Sequence, residues 1–260
     1  MGKKVFAGVL VGLLAGLSSL AVLAGAQEKP QLWTFWEIVV KPPKNEAFYK
    51  AVKDEVALMA KYKFPYSMYG YYVSDFRYEF ATPLKNYADI ENYYQAVDDL
   101  TKKAGDEWKN LLKAYEGTYE SINQSTWYMR PDLSFEPAHP RLKPGEDKFF
   151  IDDTFYIEPG KEAETEALCK DFVALCKNKD ITERIQMFIC DIGPEMPVFV
   201  ASASGKTRVD LWENNGKMWD KLGQEGQALD AKLQTLLRKR KLEEGWYLPE
   251  LSYIVPEEKK

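Results

Sequence analysis

The sequence predicts an α+β protein in which the order β-α-β-β-α-β occurs twice and the two antiparallel sheets close on each other as a barrel. Three observations predict it. The segment Trp127-Tyr128-Met129-Arg130-Pro131-Asp132-Leu133-Ser134 returns as Trp246-Tyr247-Leu248-Pro249-Glu250-Leu251-Ser252, and self-similarity at a long period marks a repeated folding unit. A strand pattern, a helix pattern, two strand patterns and further helix precede each copy in the same order. The first strand pattern is apolar on both parities, with Leu32, Trp36, Ile38 and Val40 on one side and Trp33, Phe35 and Val39 on the other. A sheet that is apolar on both faces must be covered on both.

The chain opens with Lys3 and Lys4, an uncharged apolar run from Val5 to Leu23, and Ala24-Gly25-Ala26 before Gln27. A basic start, an apolar middle and a small-residue exit make residues 1–26 a secretory signal peptide. An uncleaved anchor is the competing reading, since about 20 apolar residues can span a bilayer. A secreted or periplasmic location follows from cleavage, with no membrane contact afterwards.

The first unit, residues 27–135, begins with the strand Leu32–Val40, which Lys41-Pro42-Pro43 breaks. Phe48, Val52, Val56 and Met59 then step by three and four, one face of a helix. Tyr66–Val73 and Phe76–Thr82 read as two strands around Ser74-Asp75. Residues 86–123 are expected to be mainly helical with breaks near Gly105 and Gly117, and Thr126–Met129 is the closing strand. Three prolines between Glu136 and Gly145 make residues 136–147 a stiff connector.

The second unit, residues 148–260, repeats the order. It has a strand Phe149–Ile157, a breaker at Glu158-Pro159-Gly160, and a helix carrying Leu168, Phe172, Leu175 and Cys176. Strands Arg184–Cys190 and Val198–Ala203 follow, then helix as far as Lys241 and a strand around Trp246. The basic run Arg238-Lys239-Arg240-Lys241 follows Leu229, Leu233, Leu236 and Leu237 at helical spacing. It is read as the solvated last turn of a helix, where cations favour the dipole.

Two β-α-β-β-α-β units are the ferredoxin-like arrangement, which leaves one sheet face bare for the sister sheet. With its aromatic first strand and its Trp-Tyr-x-x-Pro closing segment, the chain resembles the dimeric α+β barrel superfamily in tandem, single-chain form. In style it is similar to the NIPSNAP-type and antibiotic-biosynthesis-monooxygenase-type domains. The resemblance covers residues 32–254 and implies the fold, with function left open. It also implies a monomer that contains its own pseudo-dimer.

Composition narrows the function. Without residues 1–26 the formal charge moves from −5 to −7, so nothing attracts nucleic acid. The only histidine, His139, lies between Pro137 and Pro140 in the connector, a poor support for the haem iron that some superfamily members hold. No cofactor and no metal are expected. Cys169 and Cys176 are seven residues apart on one helix, roughly 10 Å, too far to bridge each other. Either could meet Cys190, or all three are small buried apolar residues. Asn123-Gln124-Ser125 fits a glycosylation acceptor, and Ser202–Thr207 ends like a phosphate loop but lacks its first glycine, so it is a turn.

Glu37 is the single charge in its strand, and Asp152-Asp153 hold nearly the same place in the second unit. A carboxylate among Trp and Phe can be tuned to move protons, which makes Glu37 the candidate catalytic residue; pairing with Arg77 or Arg130 is the structural alternative. Trp36, Tyr69, Tyr71, Trp127 and Arg130 are the candidate ligand-binding residues, because aromatics with polar tips line pockets for flat or apolar ligands. The greater aromatic density of the first unit places any pocket there. The leading expectation is a secreted or periplasmic barrel that binds a small apolar or aromatic molecule. The alternatives are a cofactor-independent monooxygenase or isomerase of the superfamily's type, and a structural or partner-binding module.

Overall fold

A computed structural model describes residues 29–256; the expected signal peptide lies outside them. The described chain is a mixed α+β fold with eight antiparallel strands and five helices. The strands are β1 (Gln31–Val40), β2 (Tyr69–Val73), β3 (Arg77–Leu84), β4 (Tyr119–Met129), β5 (Phe149–Ile157), β6 (Ile185–Ile192), β7 (Val198–Gly205) and β8 (Leu237–Tyr247). They close into one barrel in the order β1-β3-β2-β8-β5-β7-β6-β4, and β4 pairs back onto β1. The helices α1 (Asn45–Lys61), α2 (Ala88–Ala104), α3 (Asp106–Tyr115), α4 (Glu162–Asn178) and α5 (Arg208–Gln234) leave the barrel walls between strands.

The first half of the barrel (β1 to β4) and the second (β5 to β8) meet at two short seams. Tyr71↔Tyr247, Tyr72↔Trp246 and Val73↔Gly245 join β2 to β8, and Thr126↔Ile192 through Met129↔Phe188 join β4 to β6. Isolated bridges Met68↔Tyr253 and Phe135↔Ile185 extend the seams symmetrically. At Gly245 the walls pack so closely that a Cβ would strike the Phe150 ring and come within 2.6 Å of the Tyr72 carbonyl oxygen, so the seam requires glycine there.

The element order matches the expected one, and the strand at Phe149–Ile157 has the expected limits. The closing strands differ. Both β4 and β8 are eleven residues long, and their first halves are polar and exposed, Glu120–Gln124 in one and Arg238–Leu242 in the other. Without apolar alternation those stretches carry no strand signal. The basic run is therefore strand β8, since α5 ends at Gln234. The expected register of the repeat also shifts by one. Leu32 pairs with Tyr128 and Phe149 with Trp246, so Trp246 matches Tyr128, and a one-residue slip exchanges the two faces of a strand. Trp127 lines the barrel interior, whereas Trp246 is an exposed aromatic packed edge-on against Phe149.

The helices bury the faces that their spacing predicts: Phe48, Val52 and Met59 from α1, and Leu168, Leu175 and Cys176 from α4. Each half interrupts its second helical segment with a glycine in a conformation that L side chains rarely adopt. Gly105 (φ 54°, ψ −112°) separates α2 from α3, and Gly223 (φ 58°, ψ −145°) breaks α5 internally. Thr207, at the end of the expected turn, caps α5 by accepting the Asp210 N–H. The connector is tied down through Arg141, whose guanidinium meets Glu183 at 3.2 Å and Asp210 at 2.8 Å.

Candidate functional site

Two cavities dominate the described structure, one inside the barrel and one outside it. The inner one is a lumen of about 310 Å³. Strand alternation decides what faces it: Trp33, Phe35 and Glu37 from β1, Arg77, Glu79 and Ala81 from β3, Asp152 and Thr154 from β5, and Lys241 and Glu243 from β8. Aromatic rings gather towards the end formed by the start of β1, which Asp147, Lys148 and Arg184 also line, and Glu37, Arg77, Lys241 and Glu243 lie towards the opposite end. Arg77 donates to Glu37 at 3.0 Å and also binds Glu243, and Lys241 meets Glu243 at 2.9 Å. Asn123 adds a hydrogen bond to Glu37 at 3.2 Å.

Three further lumen carboxyls have no such direct cation: Glu79, Asp152, and Asp147, which burial raises while its own backbone and the charges of Arg184 and Lys148 offset part of this. Burial, with Asp152 nearby, pushes Glu79 up to about 8, and Arg77 offsets only part of this. Burial likewise pushes Asp152 up to about 6, against a Ser202 hydrogen bond that lowers it.

The outer cavity, about 680 Å³, lies between the outer face of the second half-sheet and helices α4 and α5. Its walls are largely apolar, including Phe155, Phe172, Met187, Trp212, Trp219 and Leu229. One charged group interrupts them. Arg240 on β8 grips Asp153 of β5 through two nitrogens, with Nε 2.8 Å from Oδ1, and meets Asp230 of α5 at 2.8 Å. Its guanidinium lies 5.2 Å from the Phe155 ring centre and is held charged, first by its hydrogen bond to Asp153.

At the corresponding place in the first half, aromatics fill the space. Val40 and Ile157 each follow a bulge and oppose the first residue of a closing strand, so Asp153 occupies the ladder position of Trp36. Trp36 stacks on Tyr93 of α2 at 5.3 Å, and Phe64 and Tyr66 close on the same ring. The outward-facing aromatics of the first half thus form a packed core, while Trp33, Phe35, Tyr71 and Trp127 of the same half line the lumen. The larger opening belongs to the half with fewer rings.

The expected site residues divide accordingly. Glu37, Tyr71 and Trp127 line the lumen together, and Glu37 takes the structural alternative, an ion pair with Arg77. Tyr69 is buried beside Trp33 at 5.8 Å in the core under the lumen. Trp36 faces outward into the helix layer. Arg130 lines neither cavity: it binds Asp132 and Glu166 and fastens the turn after β4 to α4. Glu79 and the Arg240 group went unpredicted. The parity of Arg77, Glu79 and Ala81 beside Glu37 is a signal for the first; Arg240 lay hidden in a run read as helix.

The three cysteines are buried and unpaired, and burial pushes the thiols of Cys169 and Cys176 up to about 12 and that of Cys190 up to about 11. No group of three or more His, Cys, Asp or Glu suited to a metal ion occurs among the described residues. His139 is exposed in the connector and lines neither cavity, so histidine-held haem does not fit either one.

No known family profile matches the chain, and no curated protein matches it. Solved structures do share the barrel. A presumed monooxygenase from Fusobacterium nucleatum aligns with a TM-score of 0.54 at 11% identity over 85% of this chain and 94% of that one. An anthrone oxidase-like protein aligns with a TM-score of 0.54 at 13% identity over 85% and 92%. A presumed monooxygenase from Lactobacillus acidophilus aligns with a TM-score of 0.52 at 6% identity over 86% and 96%. At such identities the likeness establishes the fold. The chain has the architecture of dimeric α+β barrel proteins, and structures that share it are described in terms of oxidation chemistry. That finding overturns the expectation of a barrel that binds an apolar molecule without acting on it.

Proposed function

We propose that the protein is a cofactor-independent oxygenase of the antibiotic-biosynthesis-monooxygenase type, acting on a flat, largely apolar aromatic substrate in the outer cavity. The observation that carries this reading is one charged group in an apolar chamber, Arg240 held between Asp153 and Asp230. A chamber of about 680 Å³ falls within the range of small-molecule sites, which are mostly apolar with a few placed polar groups.

The chemistry asks little of the protein. A carbon acid such as an anthrone loses a proton from its ring methylene to give a delocalised carbanion, which passes electrons to dioxygen. One oxygen atom ends on that carbon as a carbonyl, and the other leaves as water with the two hydrogens of the methylene. The substrate is oxidised by four electrons and dioxygen is the species reduced, so no further reductant is needed. Asp230 shares only one oxygen with Arg240 and can accept the proton with the other. Asp153 orients the guanidinium, which stabilises the charge that develops on the substrate oxygen.

The same reading makes the halves two ferredoxin-like units, residues 27–135 and 148–260, related by duplication and joined as a monomer. The paired seams, the paired glycine breaks and the equal closing strands support it. A specifically NIPSNAP-like origin has no separate support.

The test is oxygen uptake with a hydroxyanthrone, followed by quinone absorbance. Uptake that Asp230→Asn and Arg240→Ala each reduce about a hundredfold, roughly the loss of one transition-state donor, is the expected result. Unchanged turnover in both variants overturns the proposal.

A further inference from the structure

The lumen takes no part in the reaction just proposed, and its groups do not cancel one another. Arg77 and Lys241 are matched by Glu37 and Glu243 through direct contacts, and at the other end of the lumen Asp147 faces Lys148 and Arg184, the latter also paired with Glu136. Glu79 and Asp152 remain. They sit in the middle of the barrel on opposite halves, close enough for Asp152 to be the first charge that disfavours ionisation of Glu79. Beyond them Trp33, Phe35, Trp127 and Phe188 form an aromatic wall, with Phe35 packed edge-on against both Trp127 and Phe188.

Trp33 supplies a second, independent sign. It is 3% exposed, it walls the same cavity, and its indole N–H has no acceptor among the described residues. Buried polar groups are rarely left so. An open volume that combines surplus carboxyls, aromatic faces and an unpaired donor is the composition of a ligand site, where a plain structural core would be filled and satisfied.

We propose that the barrel lumen is a second binding site, separate from the outer cavity, that takes a small organic cation, its ammonium group between Glu79 and Asp152 and its apolar body against Trp33, Phe35 and Trp127. Carboxylates and aromatic faces both favour such a ligand: one pairs with the charge, and the other attracts it through the ring quadrupole. An anion is disfavoured by the excess of carboxyls, and a neutral apolar molecule leaves two carboxyls desolvated without a partner.

Binding is coupled to a proton. The charged and titratable groups that face Glu79 are Glu37 on β1, Arg77 on β3, Tyr71 on β2, Asp152 on β5, and Lys241 and Glu243 on β8. With Arg77 already engaged by Glu37 and Glu243, an incoming ammonium is the new positive charge near Glu79, and it drives the carboxyl proton out. Affinity therefore rises towards pH 8, and binding releases a proton.

The test uses 2-phenylethylamine as the probe with the full chain, by calorimetry in buffers of different ionisation heat and by the fluorescence of lumen tryptophans. One amine should bind per chain with a buffer-dependent heat, and the neutral isostere 2-phenylethanol should not bind. Glu79→Gln with Asp152→Asn should weaken the amine about tenfold or more, as expected for a lost charged hydrogen bond, while Arg240→Ala leaves it unchanged. Because that double variant removes buried unpaired acids, it should fold, and Trp127→Phe provides a second check by abolishing part of the fluorescence change. Absence of amine binding, full binding to the double variant, or loss of binding in Arg240→Ala overturns the inference. An equal response to potassium chloride alone also overturns it, because the site would then be one for an inorganic cation. The outcome is independent of oxygenase turnover.

Discussion

The hydroxyl of Ser252 accepts the backbone N–H of Gly70 at 2.9 Å and donates to the Leu248 carbonyl at 2.8 Å. The pair joins the last turn of the chain to a strand of the other half. Ser134 repeats the arrangement, accepting from Met187 N–H at 2.9 Å and donating to the Arg130 carbonyl at 2.7 Å. Each half thus locks its tail onto the neighbour's sheet beside a seam only a few residues long. Ser252→Ala would strand a buried N–H, at a cost of about 1 to 3 kcal/mol. Urea unfolding should show that loss for Ser252→Ala and a comparable one for Ser134→Ala. A loss for one but not the other would break the equivalence of the seams.

The buried lumen acids contribute a distinct pH dependence to stability. Glu79 stays protonated in the folded chain up to about pH 8, but in the unfolded chain it ionises near ~4.3. The folded state binds more protons between those values, so the contribution of Glu79 to stability is greatest at the acid edge and falls as pH rises to about 8. Asp152, raised to about 6, acts in the same direction over a lower window. Glu79→Gln should therefore gain on the parent by a few kcal/mol, on the order of the linkage cost, at the alkaline edge and by little at the acid edge. Urea midpoints for both proteins near each edge decide it; a constant difference across pH would be inconsistent with a buried acid.

Two glycines of α5 separate backbone need from helix propensity. Gly223 sits at φ 58° and ψ −145°, a region in which a non-glycine residue costs about 1 to 3 kcal/mol. Gly216 has no atom within 4 Å of an added Cβ and lies in regular helix. Gly216→Ala should stabilise by roughly 0.4 to 1 kcal/mol through the unfolded chain, whereas Gly223→Ala should destabilise. Thermal melts of the two variants give opposite signs if the break at Gly223 is intrinsic.

What the sequence made legible followed burial. Strands β1, β5 and β7 are apolar and were found near their true limits, and the repeat gave the element order. The closing strands were lost where Glu120–Gln124 and Arg238–Leu242 face solvent, since a polar exposed ladder has no pattern to detect. The outer cavity escaped notice for a related reason. Ring density was read as pocket lining, yet Trp36, Tyr66 and Tyr93 are large enough to close the space that Asp153 leaves open in the other half. Sequence counts residue types, while a cavity depends on what fails to fill a volume.

The outer cavity gives the sharpest separation of fold from function. Ala201 faces it from the centre of β7 beside the packed core, so a ring placed there has the chamber to extend into. Overpacking a tight core usually costs about 1 to 3 kcal/mol, but Ala201→Phe should shift the melting temperature little, because the chamber of about 680 Å³ has room. A flat substrate would then compete with that ring for the wall beside Phe155 and Arg240. Oxygen uptake should fall mainly through a raised KM, with the Arg240 ion pairs intact. A large loss of stability would mean that the chamber is already closed in solution, and an unchanged KM would place the substrate elsewhere.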